Sequence, residues 1–297
     1  MSTNATEDGP HDRHPPEISV IVPCLDSTYL AQTLESLRRQ RGAPAFEVVV
    51  VDAGNRNLER RLRGWLDRLD LRVVPGDRVG TAAAQRNRAV AECRGTLLIF
   101  VDADDTADDR YVGELARALG EHPLVCARVE MTALNPWNPG GTHPQQTGLI
   151  TSDLGFLPFA GAGTLGIRRE TFERFHGFDP SLPCYEEADL CWRIQLSGDD
   201  PPSLVDGALL HVRMPAAPRA RLRKAMRFGA TQALLYRRYR ASGMRRPPLL
   251  GALQAWIRLP LIAAGRLLGR HGAHPAWEIG LRFGRLEGSI RHGILYL

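Results

Sequence analysis

The sequence predicts an α/β fold, a mostly parallel sheet with flanking helices, followed by a helical C-terminal region. Three observations carry this prediction. Short apolar runs alternate with amphipathic stretches from residue 17 onward. Three of those runs end in polar or turn residues. The charge of the chain inverts late: residues 1–217 hold 22 basic and 31 acidic side chains, residues 218–297 hold 16 and 2.

Ile18–Pro23 reads as a buried strand, and Asp26 or Ser27 can cap the helix that presents Leu30, Leu34 and Leu37 on one face. Phe46–Val51 is a second strand ending in Asp52-Ala-Gly54, and Leu58–Leu69 is an amphipathic helix. Leu71–Val74 is a third strand, Thr81–Cys93 an Ala-rich helix, and Thr96–Val101 a fourth strand ending in Asp102-Ala-Asp104-Asp105. Strands separated by helices imply right-handed crossovers, with a ligand at the carboxyl ends of the strands. Asn135–Gln146 is rich in proline and glycine and reads as a long loop. Gly161-Ala-Gly163 precedes a short strand at Thr164–Ile167, Glu186–Leu196 reads as a helix, and Leu204–Leu210 as a strand. From Arg219 the pattern is helical, divided at Pro247-Pro248. The expected divisions are a disordered leader at 1–16, one α/β domain at 17–215 and a basic helical region at 216–297.

Composition narrows the classes. Hydrophobic residues make up 43%, enough for a core. Five cysteines without a CxxC pair suggest neither a disulfide framework nor a zinc knuckle, and a reduced, cytoplasmic chain is expected. Met1–Glu17 lacks the apolar stretch of a signal peptide, and the most apolar late stretch, 247–268, is interrupted by Arg258, Pro260 and Arg266.

Chemistry concentrates at the strand ends. Asp102 and Asp104 can converge at a turn and hold Mg²⁺ or Mn²⁺, which prefer carboxylate oxygens and bridge them to a diphosphate. The same residues also suit an acidic helix-capping loop, since Asp108 and Asp109 follow. Asp52 can accept hydrogen bonds from a nucleobase or ribose, or form an Asx turn with Gly54. Gly80 to Asn87 combines a small-residue helix start with Arg86, which suits phosphate or base when buried and is a plain surface arginine when not.

In this order, Ile18–Pro23, Val48–Asp52, Gly80…Arg86-Asn87 and Phe100–Asp105 resemble the nucleotide-binding half of family 2 glycosyltransferases, which have the GT-A fold. Gly161-Ala-Gly163, Arg168-Arg169, Gly177-Phe178-Asp179 and Tyr185–Arg193 resemble the family's acceptor half, including its Glu-Asp motif. His211 resembles its C-terminal histidine. The resemblance covers about residues 17–215 and implies an inverting, metal-dependent transfer from a nucleotide-diphosphate sugar to a hydroxyl acceptor. It implies donor contacts at Pro23, Asp26, Asp52, Arg86 and Asp102, metal contacts at Asp104 and His211, and acceptor contacts at Gly161, Gly163, Glu186 and Asp189. It places the general base at Glu187, where the family has aspartate; Asp26 likewise stands where asparagine is usual. Helical spacing puts Glu186 and Asp189 on nearly one face, with Glu187 about 100° away.

The basic region has arginine clusters at 219–224 and 237–240, and Leu250, Leu253, Ile257, Leu261, Ala264 and Leu268 recur at helical spacing. That combination suits an anionic membrane surface or a helical cap on the catalytic body. Nucleic acid is not expected, because aromatics are not interleaved with the charges. A metal-dependent nucleotidyltransferase and a non-catalytic sugar-nucleotide-binding module are the alternatives, the former disfavoured by the lack of a Gly-rich loop with a phosphate-binding lysine.

Overall fold

The computed structural model describes residues 16–267 and 275–297, apart from Asp26, 55–56, 78–79, 139 and 152–153. Its first half alternates as predicted: β1 (Ile18–Cys24), α1 (Leu30–Arg38), β2 (Phe46–Asp52), α2 (Leu58–Arg61), α3 (Arg63–Leu66), β3 (Asp70–Pro75), α4 (Ala82–Glu92) and β4 (Leu97–Phe100). The second half comprises β5 (Thr106–Ala107), α5 (Tyr111–Glu121), β6 (Leu124–Glu130), β7 (Leu165–Arg168), α6 (Arg169–Arg174), α7 (Glu186–Leu196) and β8 (Ser203–His211). Four helices follow: α8 (Pro218–Tyr239), α9 (Leu249–Ile257), α10 (Leu259–Leu267) and α11 (Pro275–His292).

The eight strands form one sheet in the order β3-β2-β1-β4-β7-β6-β8-β5. The pairings β3-β2, β2-β1, β1-β4 and β6-β8 are parallel. β7 runs antiparallel between β4 and β6, and β5 antiparallel on β8. The sheet is therefore mixed, with its parallel block at the end formed by β1 to β4.

The apolar runs are continuous because the sheet is covered on both faces. Ile21, Val49 and Val51 enter one core cluster, while Val20, Val22, Val48 and Val50 enter the other. This is the two-residue alternation of a strand with both faces dry. The segment expected as one helix at 58–69 is broken at Leu62 into α2 and α3, beside Gly64, whose backbone freedom disfavours a continuous helix. Tyr29, not Ser27, occupies the N-cap of α1. The Ser27 hydroxyl instead donates to the Ala103 carbonyl at 2.8 Å, tying the β1–α1 loop to the acidic loop after β4. Asp26, the other expected cap, lies outside the described residues.

The C-terminal region is helical, as expected, and α8 shares the core of the α/β body. Ala233, Leu235 and Tyr239 pack in the cluster that holds Phe159 and Trp192. α8 and α11 meet through glycine: Gly280, Gly284 and Gly288 face the backbone of Leu222, Met226 and Ala230. A Cβ on Gly284 would lie 2.1 Å from the Met226 carbonyl oxygen. Such spacing lets two backbones approach closely, as in small-xxx-small helix pairs. α9 and α10 leave Leu250, Leu253, Ile257 and Leu261 exposed. Among the described residues no helix is long and apolar enough to cross a membrane.

Candidate active site

The carboxyl ends of β1 and β4 open into a cleft of about 910 Å³. Pro23 and Cys24 line it from β1, Ala53 from just beyond β2, and Asp102 to Asp105 from the loop after β4. The N-terminal half of α4 adds Gln85 and Arg86, and its N-cap Thr81 accepts from the Ala84 N–H. Gly161 to Thr164 close the floor, Pro183 to Glu187 form one side, and Lys224, Arg227 and Phe228 of α8 form another.

Arg86 is buried at the centre. One terminal nitrogen donates to Asp102 at 2.5 Å and the other to Glu186 at 2.5 Å. Its guanidinium also lies 5.8 Å from the Phe178 ring centroid. The two paired carboxylates keep Arg86 charged despite its burial. Arg86, expected from the sequence on the nucleotide, lines the cleft and pairs there with these two carboxylates. Asn87 brackets the Phe178 backbone, donating to its carbonyl and accepting from its N–H.

Glu187 is nearly enclosed, at 9% exposure. Burial, then the charge of Glu186, pushes its carboxyl up to about 8. A carboxyl poised near neutrality is suited to accept a proton. Asp104 is also raised, by burial and by the charge of Asp102. It forms no ion pair among the described residues. Asp105 is raised well above its ordinary range by burial and by its two acidic neighbours, and it accepts the Arg213 backbone N–H at 2.7 Å. That bond makes it a brace for the loop.

Gly163 passes so close to Asp102 that an added Cβ would lie 3.0 Å from the carboxyl carbon. Two residues the sequence did not mark hold this floor. The Gln145 amide oxygen accepts the Gly161 N–H at 2.9 Å, while its NH₂ donates to Ala127 and Thr164. The Tyr111 hydroxyl donates to the Gly163 carbonyl at 3.2 Å. Gln145 sits in a Pro/Gly-rich stretch with no periodicity to announce it, and Tyr111 reads as an ordinary apolar helix position. Tyr185, at φ 61°, takes the left-handed conformation just before α7. Its ring packs against Phe228 and Phe159, and its hydroxyl accepts from Gln232.

Two expected site residues are corrected. His211 faces away from the cleft and meets Glu130, its Nδ1 3.0 Å from the carboxylate. Leu210 and Val212 line the cleft, so strand alternation turns the residue between them to the opposite side. Hydrogen bonds from His211, Thr132 and Ala133 overcome burial and hold the Glu130 carboxyl at about 2. Asp189 is fully buried outside the cleft, accepting from Arg193, Arg238 and Tyr239. It clamps α7 to α8. The cause is orientation: α7 meets the cleft with its first turn, so Glu186 and Glu187 both reach it and Asp189 lies behind them. Pro23, Asp102, Asp104, Gly161, Gly163, Glu186 and Glu187 are brought together. Asp52 stands at the rim beside Ala53, its carboxylate accepting the Gly54 N–H at 3.3 Å as an Asx turn.

Asp104, with Asp102 nearby, fits Mg²⁺ or Mn²⁺ held through one or two carboxylates and substrate phosphates. Among the described residues no three His, Cys, Asp or Glu side chains are grouped to hold a metal alone.

A mixed sheet whose parallel block carries paired acids at its switch point, with a second acidic pair across the cleft, has the architecture of the GT-A fold. The chain belongs to glycosyl transferase family 2, whose model matches residues 19–175. It is 28% identical over 195 residues to succinoglycan biosynthesis protein ExoA of Rhizobium meliloti, a match covering 60% of this chain and 58% of that protein. It is 30% identical over 127 residues to an N-acetylglucosaminyltransferase of Rhizobium leguminosarum, covering 40% and 29% respectively. The matches thus span less than two thirds of these curated relatives. Among solved structures, Staphylococcus aureus TarS 1–349 in complex with UDP-GlcNAc matches with a TM-score of 0.54 at 18% identity, over 95% of this chain and 93% of that one. Mannosyltransferase PcManGT from Pyrobaculum calidifontis, in complex with GDP-Man and Mn²⁺, matches with a TM-score of 0.57 at 20% identity, over 95% and 77%.

Proposed function

We propose that this chain is an inverting glycosyltransferase that moves a sugar from a nucleoside-diphosphate donor to a hydroxyl of a glycan, lipid-linked or small-molecule acceptor. One observation carries the reading: Arg86 joins Asp102, on the acidic loop, to Glu186, whose neighbour Glu187 is raised to about 8. A charged donor end and a proton-accepting end are thereby fixed to one another. Family membership and the donors bound in the TarS and PcManGT structures support the same reading.

Pro23 and Asp102 line the donor end, and Asp52 stands at its rim. A divalent cation, Mg²⁺ or Mn²⁺, held by Asp104 and Asp102 would neutralise charge on the diphosphate. Glu187 takes the proton of the acceptor hydroxyl as that oxygen attacks the anomeric carbon. One base and one displacement invert the anomeric centre, whereas retention through a covalent intermediate needs a second carboxylate as nucleophile. Arg86 balances Asp102 and Glu186, leaving Glu187 as the carboxyl of raised proton affinity, which acts as base once ionised. Gly161 and Gly163 give the acceptor a floor without side chains.

The exposed leucines of α9 and α10, with Arg245, Arg246 and Arg258 alongside, support peripheral contact with an anionic membrane surface.

A thermal-shift screen of UDP-, dTDP- and GDP-sugars with and without Mn²⁺ tests the donor reading. A sugar nucleotide is expected to raise Tm by mass action, and no response to any of the three overturns it.

A further inference from the structure

The chain has 38 lysines and arginines, and Lys224 is its single lysine. It lies in the segment whose positive charge reads as a solvated helix face, yet it lines the cleft. Asp102, Asp104 and Asp105 of the acidic loop line the same cleft.

Lys224 and Arg213 are not equivalent. Arg213 is tied into the scaffold: its side chain donates to the Asp104 carbonyl at 3.0 Å and to Gln32 at 2.9 Å, and it stacks 3.8 Å from the Tyr29 ring centroid. Lys224 is half-buried and forms no ion pair among the described residues. Its position is fixed from below. Leu222 and Met226, on either side of it, abut Gly280 and Gly284. Arg221 anchors the helix start through the Pro215 and Ala216 carbonyls. His211, the residue that the family resemblance assigns to metal or diphosphate, faces Glu130 outside the cleft. The acidic loop therefore faces a compact, three-donor point charge supplied by α8, a form of charge suited to phosphate oxygens.

We infer that Lys224 binds the diphosphate of the nucleotide donor and takes up part of the charge that develops on it as the sugar leaves. The inference rests on the donor reading above. In the transfer, the bond from the anomeric carbon to the diphosphate oxygen breaks and its electron pair stays on that oxygen, beside the ammonium. The bond to the acceptor oxygen forms, and the acceptor proton goes to Glu187. Lys224 exchanges no proton.

Calorimetry of the full chain with UDP, GDP and dTDP, and with the matching monophosphates, tests this. Lys224→Met is expected to weaken the preferred nucleoside diphosphate about 10- to 100-fold, the range of a lost charged hydrogen bond. Monophosphate affinity stays unchanged, and Lys224→Arg recovers most of the loss. Equal diphosphate affinity in wild type and in a folded Lys224→Met overturns the inference while leaving the donor reading intact. Wild type that binds none of the three diphosphates overturns both. A measurement that needs no variant uses the chain's single lysine. Reductive ¹³C-methylation keeps its charge and gives one side-chain resonance besides the terminal amine. That resonance is expected to shift with the diphosphate and not with the nucleoside; an unmoved signal overturns the inference.

Discussion

Arg86 and Glu186 are 100 residues apart in sequence, and 2.5 Å separates their charged atoms. Both side chains are buried, at 4% and 6% exposure. Removing one partner of such a pair strands the other charge in a poor solvent. Arg86→Met is therefore expected to destabilise the protein by about 3 kcal/mol or more. Chemical denaturation checks this, and a loss within 1 kcal/mol, the range of a surface pair, would contradict it.

Gly163→Ala probes the floor without adding charge. Its Cβ would press on Asp102, which must shift by a few tenths of an ångström. Turnover is expected to fall roughly tenfold, since reacting groups tolerate little misplacement, with Tm nearly unchanged. Steady-state kinetics alongside a melting curve separate the two effects.

With Glu187 as the proposed base, turnover is expected to depend on pH. Its carboxyl is raised to about 8 by burial and by Glu186, so the base form grows as pH rises through that value. Turnover is expected to climb between pH 6 and about 8.5, and Glu187→Gln to lose roughly 10²-fold with donor binding retained. The same shift has the opposite effect on stability. The folded chain holds this proton more tightly than the unfolded chain, whose ordinary value is 4.5, so the contribution of Glu187 falls from about pH 4.5 to 8. Glu187→Gln should accordingly raise Tm at pH 8 and leave it unchanged near pH 4. Normal turnover in this variant, with loss in Glu186→Gln instead, would move the base to the other carboxylate.

Chelation tests the acidic loop. Excess EDTA is expected to abolish turnover, with Mn²⁺ or Mg²⁺ restoring it, and Asp104→Ala to abolish it irreversibly while the melting profile survives. Full activity in EDTA would remove the metal from the reading.

For the helices beyond α8, co-sedimentation with vesicles should rise with anionic lipid content and fall with added salt, because screening weakens attraction at a surface. Equal partitioning to neutral and anionic vesicles would make α9 and α10 a cap on the protein instead.

The parallel half of the sheet was legible because strands buried on both faces read as unbroken β-branched runs, Val48 to Val51 above all. The acidic loop was legible because polar residues at three strand ends have few other reasons to coincide. Facing was harder to read. His211 follows a strand pattern, yet only its neighbours' placement shows which side it takes. Asp189 shares a helical face with Glu186 in projection, but the helix approaches end-on and projection no longer applies. Lys224 was hidden by its arginine-rich surroundings, which look alike whether they meet water or a ligand. Gln145 acts through three hydrogen bonds formed only when distant segments meet, and no local pattern encodes them.

The glycine ladder between α8 and α11 has a consequence for inheritance. The matched family region ends at residue 175, whereas the wall bearing Lys224 and Phe228 is held by backbone contacts to Gly280, Gly284 and Gly288. Those contacts leave no room for a side chain, so the last helix cannot drift in sequence at these three positions without moving the wall. A graft that kept the sheet and exchanged the tail would carry the acidic loop intact and lose the surface opposite it. Helix α11 is thus as much a part of this cleft as the strand ends are.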